Sequence, residues 1–203
     1  MSQTEKTEPN MLKFYKEKVI PLLKTKLGVT NIHLVPKVEK VVVNCCVGSQ
    51  TDRKQAVEDA VNTVTTITGQ KPVITKSKKS VSNFKLRDDE AVGVKVTLRG
   101  RIMYEFLERL IKIAIPVIRD FRGVSPRAFD GNGNYTLGVT DQSIFPEIKI
   151  DEIKRTLGFD VCIVTSATSD DTGRELLRAL GMPFREKSNI PSPSKPGESP
   201  EAA

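Results

Sequence analysis

Apolar positions recur along this chain with two periods, and each change of period marks an element. From Asn10 onward, Leu12, Tyr15, Val19, Leu23 and Leu27 return at helical spacing, with Asn10 a candidate N-cap and Gly28 a stop. Pro21 inside this run should kink or split the helix, since it lacks an N–H and crowds the preceding turn. After Pro36 the run KVEKVVVNCCVG is rich in β-branched residues and ends at Gly48, which predicts a well-buried strand with Asn44 as its anomaly. Between Thr51 and Thr68 the stripe of Ala56, Ala60, Val64 and Ile67 predicts a helix closed by Gly69, despite its threonines. Pro72 then opens a short strand, PVIT.

The second half reads in the same way. In AVGVKVTLRG, Val92, Val94, Val96 and Leu98 alternate with Gly93, Lys95 and Thr97, the signature of a half-buried strand with one polar face. RIMYEFLERLIKIAI carries Ile102, Phe106, Leu110 and Ile113 at helical spacing until Pro116, where the helix should stop. From Phe121 to Pro146 the chain is rich in Gly and Asn, and the GNGN of Gly131 to Asn134 reads as a turn between two short segments. Asp160 to Thr168 predicts a further strand and Thr172 to Leu180 a last short helix. Strands joined both through helices and through hairpins predict a single α+β domain, a mixed, largely antiparallel sheet packed with helices, plus an extended basic loop. The expected organisation is a flexible leader over 1–9, the domain over 10–187, and a disordered tail over 188–203 whose Pro, Ser and Glu content cannot build a core.

Composition narrows the chemistry. The chain has 203 residues, 38% of them hydrophobic, long enough to bury a core without staples. Three cysteines, two of them adjacent (Cys45 and Cys46) and one at Cys162, make no disulfide framework and imply a reducing compartment. On a strand the adjacent pair would point to opposite faces and could not chelate one ion, so the cysteines read as small buried hydrophobes. The only histidine, His33, has no evident catalytic partner, and no metal or cofactor is expected. No apolar run reaches membrane-spanning length, and the first residues lack the pattern of a signal or transit peptide, so no membrane partner is expected.

Charge then points to a partner. The net charge is +7, but residues 1–129 hold 24 Lys and Arg against 13 Asp and Glu, whereas residues 130–203 hold 8 against 12. The basic character peaks between Lys71 and Arg87, where six cations stand with no acid. KSKKSVSNFKLR interleaves those cations with Ser77, Ser80, Ser82 and Asn83, which can hydrogen-bond phosphate or sugar, and with Phe84, which can stack. That mixture suits a flexible loop meeting RNA, although a basic run can also be only a solvated face.

Seven motifs stand in register over Asn10 to Arg185: VPKVEKVVVN, TGQKPVITKSKKSVSNFKLR, GVKVTLRG, YEFLERL, IRDFRG, FDGNGNYTLGV and IFPEI. In these the chain closely resembles the bacterial-type family of large-subunit ribosomal protein five, the 5S-rRNA-binding proteins of the central protuberance. The resemblance implies a non-catalytic structural constituent of the large subunit that binds 5S rRNA, with 23S rRNA, P-site tRNA, a small-subunit head protein and other 5S-associated ribosomal proteins as partners. It implies 5S rRNA contacts at Asn44, Gln70 and Thr97, with Lys71, Lys95, Arg99 and Arg101 adding phosphate contacts. Each neutral residue has an alternative role: Asn44 could bond a turn, Gln70 could cap the preceding helix, and Thr97 could be an ordinary strand residue. The resemblance further implies a tRNA-contacting loop with Lys76, Lys78, Lys79, Ser80, Lys85 and Arg87, and an inter-subunit bridge in Phe121 to Ile148 with Arg122, Asn134, Tyr135 and Asp141. A cytoplasmic ribosome is expected before an organellar one.

Two other classes compete with this reading. An enzyme acting on phosphates could use the CVGSQ turn, since a helix N-terminus favours anions. Against it, there is no Walker lysine-serine pair, glycine fingerprint or histidine constellation. A regulatory RNA-binding module outside the ribosome would carry the same surface chemistry.

Overall fold

Five strands form one sheet in the order β2-β3-β1-β5-β4: β1 (Val38–Cys46), β2 (Val73–Lys76), β3 (Ala91–Leu98), β4 (Tyr135–Val139) and β5 (Phe159–Thr165). The computed structural model describes residues 8–48, 52–119, 121–149, 153 and 155–185. Residues 1–7 of the leader expected over 1–9, the tail expected over 188–203, and Ser49 and Gln50 of the CVGSQ turn lie outside the described residues. Every pairing between neighbouring strands is antiparallel, so the sheet is a purely antiparallel member of the expected α+β class.

One face of the sheet is the core. Val41, Val43 and Cys45 of β1, Val94, Val96 and Leu98 of β3, and Val161 and Ile163 of β5 are all nearly inaccessible, as strict period-2 alternation requires. Against them pack α3 (Arg53–Thr68), through the predicted stripe of Ala56, Ala60, Val64 and Ile67, and α4 (Gly100–Arg109). Gly69 closes α3 at φ 70°, a left-handed conformation suited to glycine. A last helix, α6 (Asp170–Ala179), is capped by Ser169, whose hydroxyl accepts from the Thr172 N–H.

The run of valines predicts β1 as buried throughout, but its burial alternates, and Asn44 is an anomaly only on that assumption: it sits on the open face. Cys46 is exposed for the same reason, so the expectation that both adjacent cysteines are buried fails there, while Cys45 is sealed in the core. The adjacent cysteines do point to opposite faces.

Both helical prolines are accommodated by a wider turn. The N-terminal helix runs as α1 (Asn10–Phe14), a π-helical turn at Tyr15–Val19, and α2 (Ile20–Leu27) carrying Pro21. The central helix runs as α4, a π-helical turn at Leu110–Ala114, and α5 (Ile115–Val117) carrying Pro116. Ile20 N–H bonds the Tyr15 carbonyl and Ile115 N–H the Leu110 carbonyl, i→i−5 pairings that make room for a residue without a donor. Pro21 therefore splits the helix by a π turn, and Pro116 does not stop its helix, which continues to Val117.

Three further expectations shift. Pro9, not Asn10, takes the N-cap position, and the buried stripe runs through Met11, Tyr15, Val19 and Leu23 in place of Leu12. Ile102 and Ile113 are 40% and 43% exposed: the buried face of α4 runs through Met103, Phe106 and Leu107, one position round from Ile102, and at Leu110–Ala114 the extra residue per turn buries Leu110 and Ile111 and turns Ile113 outward. The Tyr15 hydroxyl donates to the Pro36 carbonyl at 3.0 Å, tying the first π-helical turn to the entry of β1, and burial pushes its pKa up to about 12.

Candidate nucleic-acid interface

Among the described residues, no helix covers the second face of the sheet. Reading across the strands, Val73, Lys95, Asn44, Asp160 and Gly138 form one row, and Thr97, Val42, Cys162 and Thr136 the next. Directly paired side chains lie about 5 Å apart and diagonal ones about 7–8 Å, so Asn44, Lys95 and Thr97 form one contiguous patch on the two strands. Val42 and Cys162, both half-buried, floor it.

The neutral residues singled out from the resemblance have idle side chains. Neither Asn44, half-buried on β1, nor Thr97, half-buried on β3, makes a side-chain hydrogen bond to any described residue. Gln70 is exposed just beyond α3. The helix there is closed by the Gly69 N–H to the Thr65 carbonyl and by the Thr68 hydroxyl to the Val64 carbonyl, leaving the Gln70 amide uncommitted. Bonding a turn and capping a helix are thus not what Asn44 and Gln70 do. A polar side chain held half-buried without a partner is costly unless a ligand or water satisfies it.

Cations gather at one side of this face. Lys71, Lys95 and Arg99 are exposed and without an acidic partner among the described residues. Arg101 is exposed and bonded to Glu105 at 2.8 Å, an intrahelical pair that a phosphate can replace at small cost. Asp160, opposite Asn44 on β5, leaves the β4–β5 half less basic. An anionic backbone therefore fits best over β1 to β3.

The basic run leaves the sheet as an extension of the β2–β3 hairpin. The Ser77 N–H bonds the Glu90 carbonyl at 2.8 Å, Val81 and Leu86 exchange backbone bonds at 3.0 and 3.1 Å, and Ser82–Phe84 turn at the tip. This pairing organises what the composition alone presents as a flexible loop. Lys78, Lys79 and Lys85 are exposed and unpaired among the described residues, Lys76 is bonded to Asp89 at 2.9 Å, and the Ser80 hydroxyl accepts from the Asp88 N–H. The Arg87 side chain is exposed, and Phe84 at the tip is 70% exposed.

Sequence reasoning missed the residue that holds this extension down. Arg53, in the first turn of α3, donates to the carbonyls of Gly48 (3.1 Å), Lys85 (2.8 Å) and Phe84 (3.2 Å), and pairs with Glu90 at 2.9 Å. Glu90 also accepts from the Arg87 N–H, and these bonds, that of Arg87 first and Arg53 next, hold its carboxyl below the ordinary range. One signal was available: a cation at a helix N-terminus opposes the helix dipole, so it needs a dedicated partner.

The segment singled out for a bridge is built around two aspartates. Asp130 accepts from the Asn134 side-chain amide and from the Asn132 and Asn134 N–H groups, which lower its pKa, and Asp170 of α6 accepts from the N–H groups of Gly131 and Gly133. Asn134 also accepts from the Thr165 N–H at 3.0 Å. Tyr135 is 1% exposed and its hydroxyl donates to the Ser125 carbonyl, so it supports the turn from inside. The Asp141 carboxylate accepts from the Ser143 N–H, and Arg122 is exposed.

With this geometry in view, comparison with known proteins gives consistent matches. Residues 31–87 match the family described as ribosomal protein L5, and residues 91–184 match the C-terminus of the same ribosomal family. The large ribosomal subunit protein uL5 of Moorella thermoacetica is 54% identical over 172 residues, 85% of this chain and 96% of that one. The protein of the same description in Psychrobacter cryohalolentis is 54% identical over 171 residues, 84% of this chain and 96% of its own. The uL5c protein of Arabidopsis thaliana is 51% identical over 185 residues, 91% of this chain and 70% of that one.

Proposed function

Because this chain belongs to the ribosomal protein L5 family and is a non-enzymatic structural constituent of the large ribosomal subunit, we propose that it binds 5S rRNA on the open face of its sheet. One observation carries this reading: Asn44 and Thr97 are held on an uncovered face, and Gln70 beside it, with side chains that no described protein group uses. An RNA duplex presents a shallow minor groove lined with 2′-hydroxyls, which donate and accept. Uncharged amides and hydroxyls read such a surface without burying a charge. Lys71, Lys95, Arg99 and Arg101 supply phosphate contacts that set position without reading sequence.

The hairpin extension is the second surface. Lys76, Lys78, Lys79, Ser80, Lys85 and Arg87 contact the backbone of the P-site tRNA, where charges indifferent to base identity suit a partner that changes at every cycle. The segment 121–148 bridges to a small-subunit head protein through Arg122, Asn134 and Asp141, with Tyr135 supporting the turn. The RNA-binding unit spans 10–187, flanked by 1–9 and 188–203, and works in a cytoplasmic ribosome beside 23S rRNA and other 5S-associated proteins.

Crosslinking from single sites in intact ribosomes tests this division. Photoreactive groups at positions 95 and 97 should capture 5S rRNA, and groups at 78 and 79 should capture tRNA only when the P site is filled. Crosslinks from position 97 to another RNA alone would overturn the assignment.

A further inference from the structure

Asp160 of β5 stands on the open face of the sheet, in register with Asn44 of β1 on one side and with Gly138 of β4 on the other. It is exposed, and its carboxylate makes no hydrogen bond or ion pair with any described residue. Directly paired positions bring their side chains to about 5 Å, yet the Asp160 carboxylate and the Asn44 amide do not bond each other. Gly138 leaves the other side bare: a Cβ there would stand 3.9 Å from Asp160 Oδ1, and none is present to cover it.

A free carboxylate on a face that receives RNA has two possible fates. Covered without a partner, it loses its water and repels the neighbouring phosphates. Met by hydrogen-bond donors, it becomes a reader of whatever supplies them. Guanine is the one common base that sets two donors side by side, N1–H and N2–H, on its Watson–Crick edge, with the O6 acceptor next to them. Adenine and cytosine each place a ring-nitrogen acceptor beside their amino group, and uracil flanks a single donor with two acceptors. A carboxylate accepts at both oxygens and an amide nitrogen donates, so an Asp beside an Asn complements guanine alone.

We propose that Asp160 and Asn44 form a guanine-reading site for an unpaired base of the RNA seated on the open face, an inference that rests on reading that face as the 5S rRNA surface. The Asp160 carboxylate accepts from N1–H and N2–H, and the Asn44 amide nitrogen donates to O6. The Asn44 amide oxygen stays free for a 2′-hydroxyl. Unpaired bases offer these edges, whereas a base within a duplex has them occupied. Gly138 lets the base approach the strands without meeting a side chain, and Lys95, in register with Asn44 on its other side, faces the phosphates of the same RNA. Any other base would turn an acceptor toward the carboxylate, so the acid excludes as well as selects.

The test titrates the full chain with 5S rRNA and with an unrelated RNA duplex of equal length. Asp160→Asn keeps the side chain's shape and removes a negative charge, so an acid that only repels would leave both RNAs binding more tightly. The expected result has the opposite sign for one of them: affinity for 5S rRNA falls roughly tenfold, the worth of one good bidentate base contact, and the duplex binds no more weakly than before. A second arm uses 5S rRNA carrying sparse inosine, which lacks the N2 amino group, in place of guanosine. Inosine should be depleted from the protein-bound RNA at one unpaired guanine position; that depletion should vanish with Asp160→Asn and persist with Thr97→Val. Should Asp160→Asn fail to fold, the wild-type arm decides, and no depletion at any unpaired position would overturn the proposal. Undiminished 5S rRNA binding by folded Asp160→Asn, or the same inosine pattern in both proteins, would overturn guanine reading and leave the 5S rRNA surface standing. Equal wild-type affinity for the two RNAs would overturn both.

Discussion

Arg53 Nη1 donates to the Lys85 carbonyl at 2.8 Å, joining the first turn of α3 to the tip of the basic hairpin 32 residues later. Lys85 itself is left-handed, at φ 51°, a conformation unfavourable for a residue with a Cβ. The guanidinium thus holds a strained tip down beside the sheet, together with its exposed lysines. Replacing Arg53 with Ala should lower the opening free energy of the tip by about 1–2 kcal/mol, seen as faster amide exchange at Val81 and Leu86 with the strands of the sheet unaffected. Equal exchange rates in the two proteins would contradict the latch.

The same latch should weaken in acid. Glu90 has its carboxyl held below the ordinary value of 4.5, so its contribution is present above that value and lost as pH falls through the lowered one. The protection of the Val81 amide, its exchange taken relative to the intrinsic rate at each pH, should therefore fall as the pH drops below 4.5 in wild type, and that fall should be absent in Glu90→Gln.

Asn44→Ala, Gln70→Ala and Thr97→Val should each weaken 5S rRNA binding by about 1–3 kcal/mol, because RNA groups lose their partners. Thermal stability should move by less than about 0.5 kcal/mol, since these side chains bond no described residue. Loss of stability with unchanged affinity would assign them to the fold instead.

The three cysteines report which face the RNA covers. Cys46 is exposed and Cys162 half-buried on the open face, whereas Cys45 lies in the core with its thiol pushed up to about 12, burial being the main cause. Alkylation should be fast at Cys46, slower at Cys162, and absent at Cys45 in the folded chain. Bound 5S rRNA should protect Cys46 and Cys162. The raised Cys45 pKa also predicts stability that is intact below the thiol's ordinary 9.0 and declines as pH rises toward 12, measurable as alkaline unfolding that Cys45→Ala displaces.

Turn and helix meet at Gly173, where a Cβ would stand 2.6 Å from the Gly133 carbonyl oxygen. Gly173→Ala should destabilise the chain by about 1–3 kcal/mol in denaturant unfolding, because backbone on both sides is packed. A neutral result would mean that α6 can shift off the GNGN turn.

Much of the architecture was legible because its signals are local. The Ala56, Ala60, Val64, Ile67 stripe and the alternation at Val94, Val96 and Leu98 each fix a buried face by spacing alone. What escaped depended on partners distant in sequence. The open face of β1 became visible only once β3 and β5 flanked it and no helix among the described residues covered Asn44, since a run of valines reads the same whether one face or both are packed. The π turn before Pro116 displaced the expected stripe at Ile113, because a one-residue insertion in the helical ladder leaves no mark in composition. Asn44, Gln70 and Thr97 were reached through the motifs; the unspent state of their side chains needed coordinates. Arg53 was lost among other cations, as its acceptors are backbone carbonyls, which carry no residue identity.

The most direct measurement is a competition between 5S rRNA and an unrelated RNA duplex of equal length for the isolated chain, repeated across a salt series. The account predicts tighter binding to 5S rRNA at every salt concentration, with Asn44→Ala and Thr97→Val narrowing the gap and leaving the salt slope unchanged, because neutral side chains release no counterions. Equal affinity for the two RNAs in the wild-type chain would contradict it.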